Sequence, residues 1–323
     1  MKKNIAIIAG GYSSEYEVSV RSARNLYGFI DRERYSVYII LIERDRWLAQ
    51  LPDGGTAPVD RNDFSFRMKD ARIRIDYAYV TIHGTPGENG LLQGYFDMLG
   101  IPCSSCGTLA SALTFNKYLC NRLMSTIGVR VPDAVRLRRG EAFDGDGMLA
   151  RLGLPVFVKP NDSGSSFGVS RVDEASQLQA AVDKAFEESD EVVIERFIPG
   201  VEVTCGCLRT KGEITALPVT EVVSTRVFFD YDAKYNGESQ EITPARISPA
   251  LTATVQQTTA AIYDFVGARG IIRVDYIIPD DGNPVLLEIN TTPGMTDASF
   301  IPQQVQAAGL EMKDMLTGII ENE

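Results

Sequence analysis

Short apolar runs alternate with stretches of helical period over roughly the first hundred positions of the chain. NIAIIA (4–9) is a strand-like run that ends at the glycine-rich turn GGYSSE. Over 16–30, Val18, Ala23, Leu26 and Phe29 recur near the spacing of one helical face, which predicts a helix. YSVYIILI (35–42) and YAYVTIHG (77–84) predict a second and a third strand. NGLLQGYFDMLG (89–100) predicts a helix stopped by Gly100. Such alternation predicts an open, mostly parallel α/β sheet. Ligands of such sheets sit in loops after strand C-termini, which singles out GGYSSE and HGTPGENG. Residues 46–75, broken by LPDGG and DRND, are expected to be irregular.

Further along, the pattern changes. TFNKYLCNRLMSTIG (114–128) predicts a helix with Thr114 as a candidate N-cap. PVFVKPNDSGSSFGVSRV (155–172) reads as strand, Gly/Ser loop, strand, followed by a helix over 173–187 and the strand EVVIERFI (191–198). VEVTCGCL (201–208) has period two and continues toward EITALPVTEV as antiparallel strands. Residues 224–248 are expected to form a long polar loop, a kind that is usually functional or mobile. A helix is expected over 252–270, then two paired strands, IIRVDYIIP and PVLLEIN. No internal repeat or low-complexity segment interrupts this order.

Composition narrows the class. A chain of 323 residues, 44% hydrophobic, suits two to three globular domains. Its net charge of −11 argues against a nucleic-acid or anionic-membrane binder, whose affinity needs basic surface. Cys103, Cys106, Cys120, Cys205 and Cys207 are odd in number and scattered, so buried free thiols are expected over a disulfide framework. Cys103-x-x-Cys106 resembles half a zinc site, but no second such pair follows and His83 is the only histidine. The opening apolar run is too short for a signal peptide, and no run is long enough to span a bilayer, so a cytoplasmic protein is expected.

Four groupings could carry chemistry. Ser163 to Gly168 follow VFVKP, and small residues let main-chain N–H groups approach phosphate oxygens, with Lys159 in reach; an ordinary hairpin is the alternative. Glu195 and Glu202 could accept from an adenine amino group and ribose hydroxyls, or be plain surface glutamates. Asp275, Glu288 and Asn290 fall on facing apolar strands, with Arg273 on the same face. Oxygen donors so placed suit Mg²⁺ shared with substrate phosphates; the alternative is a buried ion pair with Arg273. His83 stands before a Gly-rich loop that also holds Glu88, where a structural and a functional role are equally open.

Taken together these segments resemble the D-alanine–D-alanine ligase family of the ATP-grasp fold. The resemblance rests on GGYSSEYEVS (10–19), HGTPGENGLLQG (83–94), VKPNDSGSSFGVS (158–170), IERFIPGVEVT (194–204), FFDYDAKY (228–235), RVDY (273–276) and EINTTPGMTDASFIP (288–302). Seven motifs in order are far more specific than any one of them. The stretches 43–76 and 136–150 show no match.

The resemblance implies an N-terminal parallel-sheet α/β domain (1–105), a central α+β subdomain (106–194) and a C-terminal α+β subdomain (195–323) that grasp ATP between them. It implies a cytoplasmic homodimer that joins two D-alanines through an acyl phosphate, for peptidoglycan precursors. Lys117 and Lys159 would contact phosphates, with Ser165 and Ser166 in the covering loop. Glu195, the Ile198 main chain and Glu202 would hold the adenosine, and Asp275, Glu288 and Asn290 two Mg²⁺ or Mn²⁺ ions. Glu15 would hold the first ammonium, while Lys234, Ser299 and Phe300 would serve the γ-phosphate or the second substrate. Tyr235 would close the site through Ser165 and Glu15; Arg273 and the Gly294 N–H would face the oxyanion. His83 and a Ser165–Tyr235 couple both stand as proton acceptors. Tyr235 within DAKY points to D-alanine, not D-lactate, as second substrate.

Overall fold

The computed structural model describes residues 2–164, 167–224 and 239–321. β1 (Asn4–Gly10) lies between β2 (Ser36–Ile42) and β7 (Tyr77–Val80) and runs parallel to both. This is the expected parallel core, with α1 (Tyr16–Phe29) packed against β1 and β2. Residues 46–75 are not irregular. They form β3 (Trp47–Gln50), β4 (Thr56–Asp60), β5 (Ser65–Met68) and β6 (Ala71–Arg74), an antiparallel meander that extends the sheet as β6-β5-β4-β3-β2-β1-β7, so the sheet is parallel only at its β2-β1-β7 core and not mostly parallel as expected. Strands this short carry little periodicity of their own. An aromatic cluster sets them: Trp47 and Phe64 meet edge-on at 6.0 Å, and Phe64 meets Phe96 of α2 (Leu91–Leu99) at 5.0 Å.

The second sheet is antiparallel, in the order β10-β9-β11-β8. Its strands are β8 (Ala134–Arg138), β9 (Val156–Pro160), β10 (Ser170–Val172) and β11 (Glu191–Arg196). β9 and β10 form the expected hairpin around the Gly/Ser loop, with Ser170 opposite Val158. α5 (Gly145–Leu152) and α6 (Leu178–Ala185) contribute to its core with Val156, Val158, Val192 and Ile194. The helix expected over 173–187 is shorter, because a 3₁₀ turn over Ala175–Gln177, capped by Glu174, comes first.

The third sheet holds β12 (Val201–Thr210), β13 (Glu213–Ala216), β14 (Thr220–Ser224), β15 (Ser239–Ile242), β16 (Ile271–Ile278) and β17 (Val285–Asn290). Its main path is β15-β14-β12-β16-β17, with β13 paired to β12. The polar stretch 224–248 thus contains a strand; Lys234 and Tyr235, like Ser165 and Ser166, lie outside the described residues. The helix expected over 114–128 is two helices, α3 (Thr108–Phe115) and α4 (Lys117–Ser125). Thr114 closes α3, its hydroxyl donating to the Ala110 carbonyl. The cap is Asn116, which accepts from the Leu119 N–H at 2.9 Å and sets Lys117 at the start of α4. The last long helix, α7, runs Pro249–Phe265 behind a Ser248 cap.

The chain's end returns to its beginning. α8 (Phe300–Ala307) and α9 (Met312–Glu321) bring Ile301, Leu316 and Ile320 into one core with Ile5, Ile7, Leu26 and Tyr79. α8 is tied to the third sheet by a fully buried amide. Gln304 accepts from the Gly206 N–H at 2.8 Å and donates to the Thr204 carbonyl and the Thr220 hydroxyl at 3.1 and 3.0 Å. Unmaking these bonds would leave polar groups stranded in an apolar layer. Gln304→Leu is therefore expected to lower the unfolding free energy by about 2–4 kcal/mol, read from urea denaturation, although its volume is nearly conserved.

Candidate functional site

The second and third sheets face each other across a cavity of about 460 Å³. One wall carries Phe157, Lys159, Glu195, Phe197 and Ile198; the other carries Glu202, Thr204, Arg273, Asp275 and Glu288. Lys117 and Phe300 also line it.

β16 and β17 supply the polar wall. Their register sets Asp275 opposite Glu288 and Arg273 opposite Asn290, so all four side chains share one face, as their spacing predicts. Arg273 grips Asp275 with two bonds, Nε to Oδ1 at 2.9 Å and a terminal nitrogen to Oδ2 at 2.7 Å. The Thr204 hydroxyl donates to Asp275 Oδ1 at 2.5 Å, and Asn290 Nδ2 to Oδ2 at 3.1 Å. The ion pair that stood as the alternative is thus present, within the cluster of oxygen donors. Burial would lower the Arg273 pKa, but Asp275 and then Glu288 raise it, so the guanidinium stays charged. Arg273 also stacks over the Phe300 ring at 5.2 Å.

Lysines face these acids from the other side. Lys117 Nζ sits 3.2 Å from Glu288 and donates to the Ser163 carbonyl at 2.6 Å, so one ammonium touches both β17 and the Gly/Ser loop. Burial works against its charge, but Glu288, together with Glu88 and Glu195, more than offsets this and its pKa is raised. Lys159 pairs with Glu195 at 2.5 Å, where the Glu195 side chain is 3% exposed. Glu195 Oε1 has no hydrogen-bond partner among the described residues. Glu195 lies within β11.

A second set of groups adjoins this cavity from the parallel sheet. The loops after β1 and β7 are knitted together: Tyr12 N–H donates to the Thr85 carbonyl, and the Ser13 hydroxyl to the His83 carbonyl, both at 2.9 Å. Glu15 sits buried at the N-cap position of α1. Gly164 of the Gly/Ser loop lies so close that an added Cβ would stand 2.5 Å from Glu15 Oε2. His83 is buried and bonded to the Thr292 main chain, while its Nε2 has no partner among the described residues. Burial lowers its pKa; Glu15 pulls it back up and Arg273 pushes it down. Ser299 caps the opposite edge, accepting from Thr296 N–H at 3.0 Å, with the Gly294 Cα against its hydroxyl.

Of the residues expected from sequence, Lys117, Lys159, Glu195, Ile198, Glu202, Arg273, Asp275, Glu288 and Phe300 line one cavity. Asn290 joins through Asp275. Glu15 and His83 lie buried next to this cavity, reached from it through Gly164, and Gly294 and Ser299 stand together. Thr204 was not expected; its part appears only once β12 is paired in register with β16, which sets it opposite Asp275. Glu88, noted only as a neighbour of His83, is also buried here. For metal, the hard donors are two carboxylates and an amide; among the described residues no group of three or more His, Cys, Asp or Glu gathers as a metal site. All-oxygen donors facing a cavity fit a hard divalent ion that takes its remaining ligands from substrate or water.

Two sheets closed on a cavity, lysines on one side and carboxylates with an arginine on the other, define the ATP-grasp class. Comparison with known proteins is more specific. The family described as D-ala D-ala ligase N-terminus matches residues 4–106, and D-ala D-ala ligase C-terminus matches 123–321. A D-alanine–D-alanine ligase of Parabacteroides distasonis is 59% identical over the whole chain and 98% of its own length. The VanG D-Ala:D-Ser ligase of Enterococcus faecalis superimposes with a TM-score of 0.86 at 33% identity, over 99% of both chains. The Bacillus anthracis D-alanine–D-alanine ligase complexed with ATP gives 0.78 at 29% identity, over 99% of this chain and 96% of that one. This chain belongs to the D-alanine–D-alanine ligase family.

Burial and the charge of Glu15 push the Glu88 carboxyl up to about 8 from an ordinary 4.5. A carboxyl whose pKa is raised on folding binds a proton in the native state that the unfolded chain has lost. Its contribution to stability is complete below pH 4.5 and disappears as pH climbs to about 8. Glu88→Gln removes this titration. Urea unfolding of both proteins at pH 5 and pH 8.5 should show the wild type losing more stability than the variant over that interval.

Proposed function

We propose that the protein joins two D-alanines into D-alanyl-D-alanine at the expense of ATP, supplying the peptidoglycan precursor pathway from the cytoplasm. The observation that carries this reading is the shared face of Arg273, Asp275, Glu288 and Asn290 opening on the lysine-lined cavity, in a chain that matches the ligase family end to end. Residues 1–105, 106–194 and 195–323 act as the three domains, except that Glu195 and Arg196 complete β11 and belong with the second sheet, and a homodimer is the working assembly. No helix among the described residues is long and apolar enough to cross a membrane.

ATP lies between the two sheets, its adenosine held by Glu195, the Ile198 main chain and Glu202. Glu195 Oε1, without a hydrogen-bond partner among the described residues, is an acceptor suited to an adenine amino group. Lys117 and Lys159 contact the phosphates, a role to which Ser165, Ser166 and Lys234 are also assigned. Asp275, Glu288 and Asn290 would hold two Mg²⁺ or Mn²⁺ ions, which when bound would offset charge on the transferring phosphoryl group.

Glu15 receives the ammonium of the first D-alanine, next to His83. A carboxylate is a poor electrophile, so its oxygen first takes the γ-phosphoryl group, releasing ADP and leaving an acyl phosphate. The amine of the second D-alanine, placed by Lys234, Ser299 and Phe300, attacks the acyl carbon and loses a proton. Phosphate then leaves with the electrons of the broken C–O bond. Arg273 spends one edge of its guanidinium on Asp275, which orients its other donors; with the Gly294 N–H these face the tetrahedral oxyanion. Acyl phosphates hydrolyse, so Tyr235, Ser165 and the stretch 224–248 exclude water. His83 is held neutral by burial, which keeps it available as an acceptor beside the Ser165–Tyr235 couple.

D-alanine is expected to raise phosphate release from ATP strongly, with the dipeptide as product. Absence of that stimulation would sink the reading, and excess product from D-serine or D-lactate in competition would reassign the second substrate. Asp275→Asn and Glu288→Gln should each lower kcat by about a hundredfold or more; near-normal turnover in both would remove the metal roles.

A further inference from the structure

The reaction as described leaves one buried acid unused. Glu88 is 9% exposed and lies where Glu15, Lys117 and Glu288 all act on its charge. Its Oε2 accepts the Gly84 N–H at 2.7 Å. Its own N–H donates to the Gly84 carbonyl at 2.9 Å, and the Gly87 N–H to the same oxygen at 2.8 Å. Glu88 therefore holds Gly84 by both its main-chain groups.

Gly84 is where this matters. Its φ of +69° lies in the left-handed region, which glycine enters and leaves freely, so neighbouring bonds and not the backbone itself hold it in one geometry. A Cβ there would stand 3.0 Å from the Ser13 side chain and 3.6 Å from Glu15 Oε2, so the bare Cα forms part of the wall beside the Glu15 carboxylate. The neighbouring residue is His83, whose carbonyl is pinned by Ser13. From below, Gln93 fixes the same turn by donating to the Gly87 carbonyl at 2.5 Å and to Ser105 at 2.9 Å. Only Glu88 reaches the Gly84 N–H with a side chain among the described residues. Without it that donor is buried and unsatisfied, and the turn relaxes to find a partner.

We propose that Glu88 is a positioning residue for the amino-acid subsite at Glu15: by accepting the Gly84 N–H it fixes the glycine wall and His83 against the first substrate. This rests on the reading of the Glu15 pocket as the first D-alanine subsite. What the role requires is an acceptor oxygen, not a negative charge, and a charge would be repelled by Glu15 and Glu288. Gln supplies the oxygen; Ala does not.

Wild type, Glu88→Gln and Glu88→Ala are compared as full-length enzymes by phosphate release at saturating ATP, with D-alanine varied and fitted to two sites. Far-UV circular dichroism and melting confirm folding. Glu88→Ala should raise the constant for the first D-alanine at least about tenfold while the KM for ATP moves less than about twofold. Glu88→Gln should stay within about threefold of wild type in both. Should Glu88→Ala not fold, Gly84→Ala, which crowds the same wall with Glu88 intact, should show the same split. The proposal is overturned by an unchanged first constant, by equal rises for ATP and D-alanine, or by a Gln variant as impaired as the Ala variant. A wild type indifferent to D-alanine would remove the functional reading and this proposal together, whereas an active wild type with an indifferent Glu88→Ala removes this proposal alone.

Discussion

The bidentate bond between Arg273 and Asp275 is the constraint around which the site is arranged. Both groups project from a strand whose other residues are Ile, Val and Tyr, so neither charge can rely on water. Pairing them offsets the desolvation penalty that each ion would suffer alone and orients both. The remaining groups follow from it. Thr204 and Asn290 satisfy the carboxylate oxygens that face them, and Glu288, one strand over, is answered by Lys117. A scaffold would be as stable with apolar residues here. The cost of this polar face makes sense as preparation for a charged ligand in the cavity it borders.

Lys117 shows how the fold turns that cluster into a linked system. Its position depends on the break between α3 and α4, where Asn116 caps the second helix. From there its ammonium spans Glu288 on the third sheet and the Ser163 carbonyl on the second. The Gly/Ser loop reaches further, bringing Gly164 against Glu15 from the parallel sheet. Elements from all three sheets therefore converge within a few side chains. α8, held by the buried Gln304, completes this convergence by fixing the edge that bears Ser299 and Phe300.

Much of this was legible in the chain itself. The period-two spacing of Arg273 and Asp275, and of Glu288 and Asn290, determined that each pair shares a face, because a strand has no other way to present alternate residues. The same holds for the parallel core β2-β1-β7, the β9–β10 hairpin around the Gly/Ser loop and the left-handed stop of α2 at Gly100, all of which follow from local pattern. Motif order carried the family.

What local pattern could not reach was settled by contacts between distant segments. The meander over 47–74 exists because Trp47, Phe64 and Phe66 find Phe96, Tyr95 and Tyr38, not because its short strands announce themselves. Thr204 meets Asp275 only through the register of β12 on β16, a pairing across 71 positions. Glu88 gains its raised pKa and its hold on Gly84 only when the loop is buried beside Glu15. Sequence determines which chemistry each strand and turn can present. Tertiary structure decides which of those groups are brought together and cut off from water, since burial and pairing are properties of the folded surroundings and not of the residue.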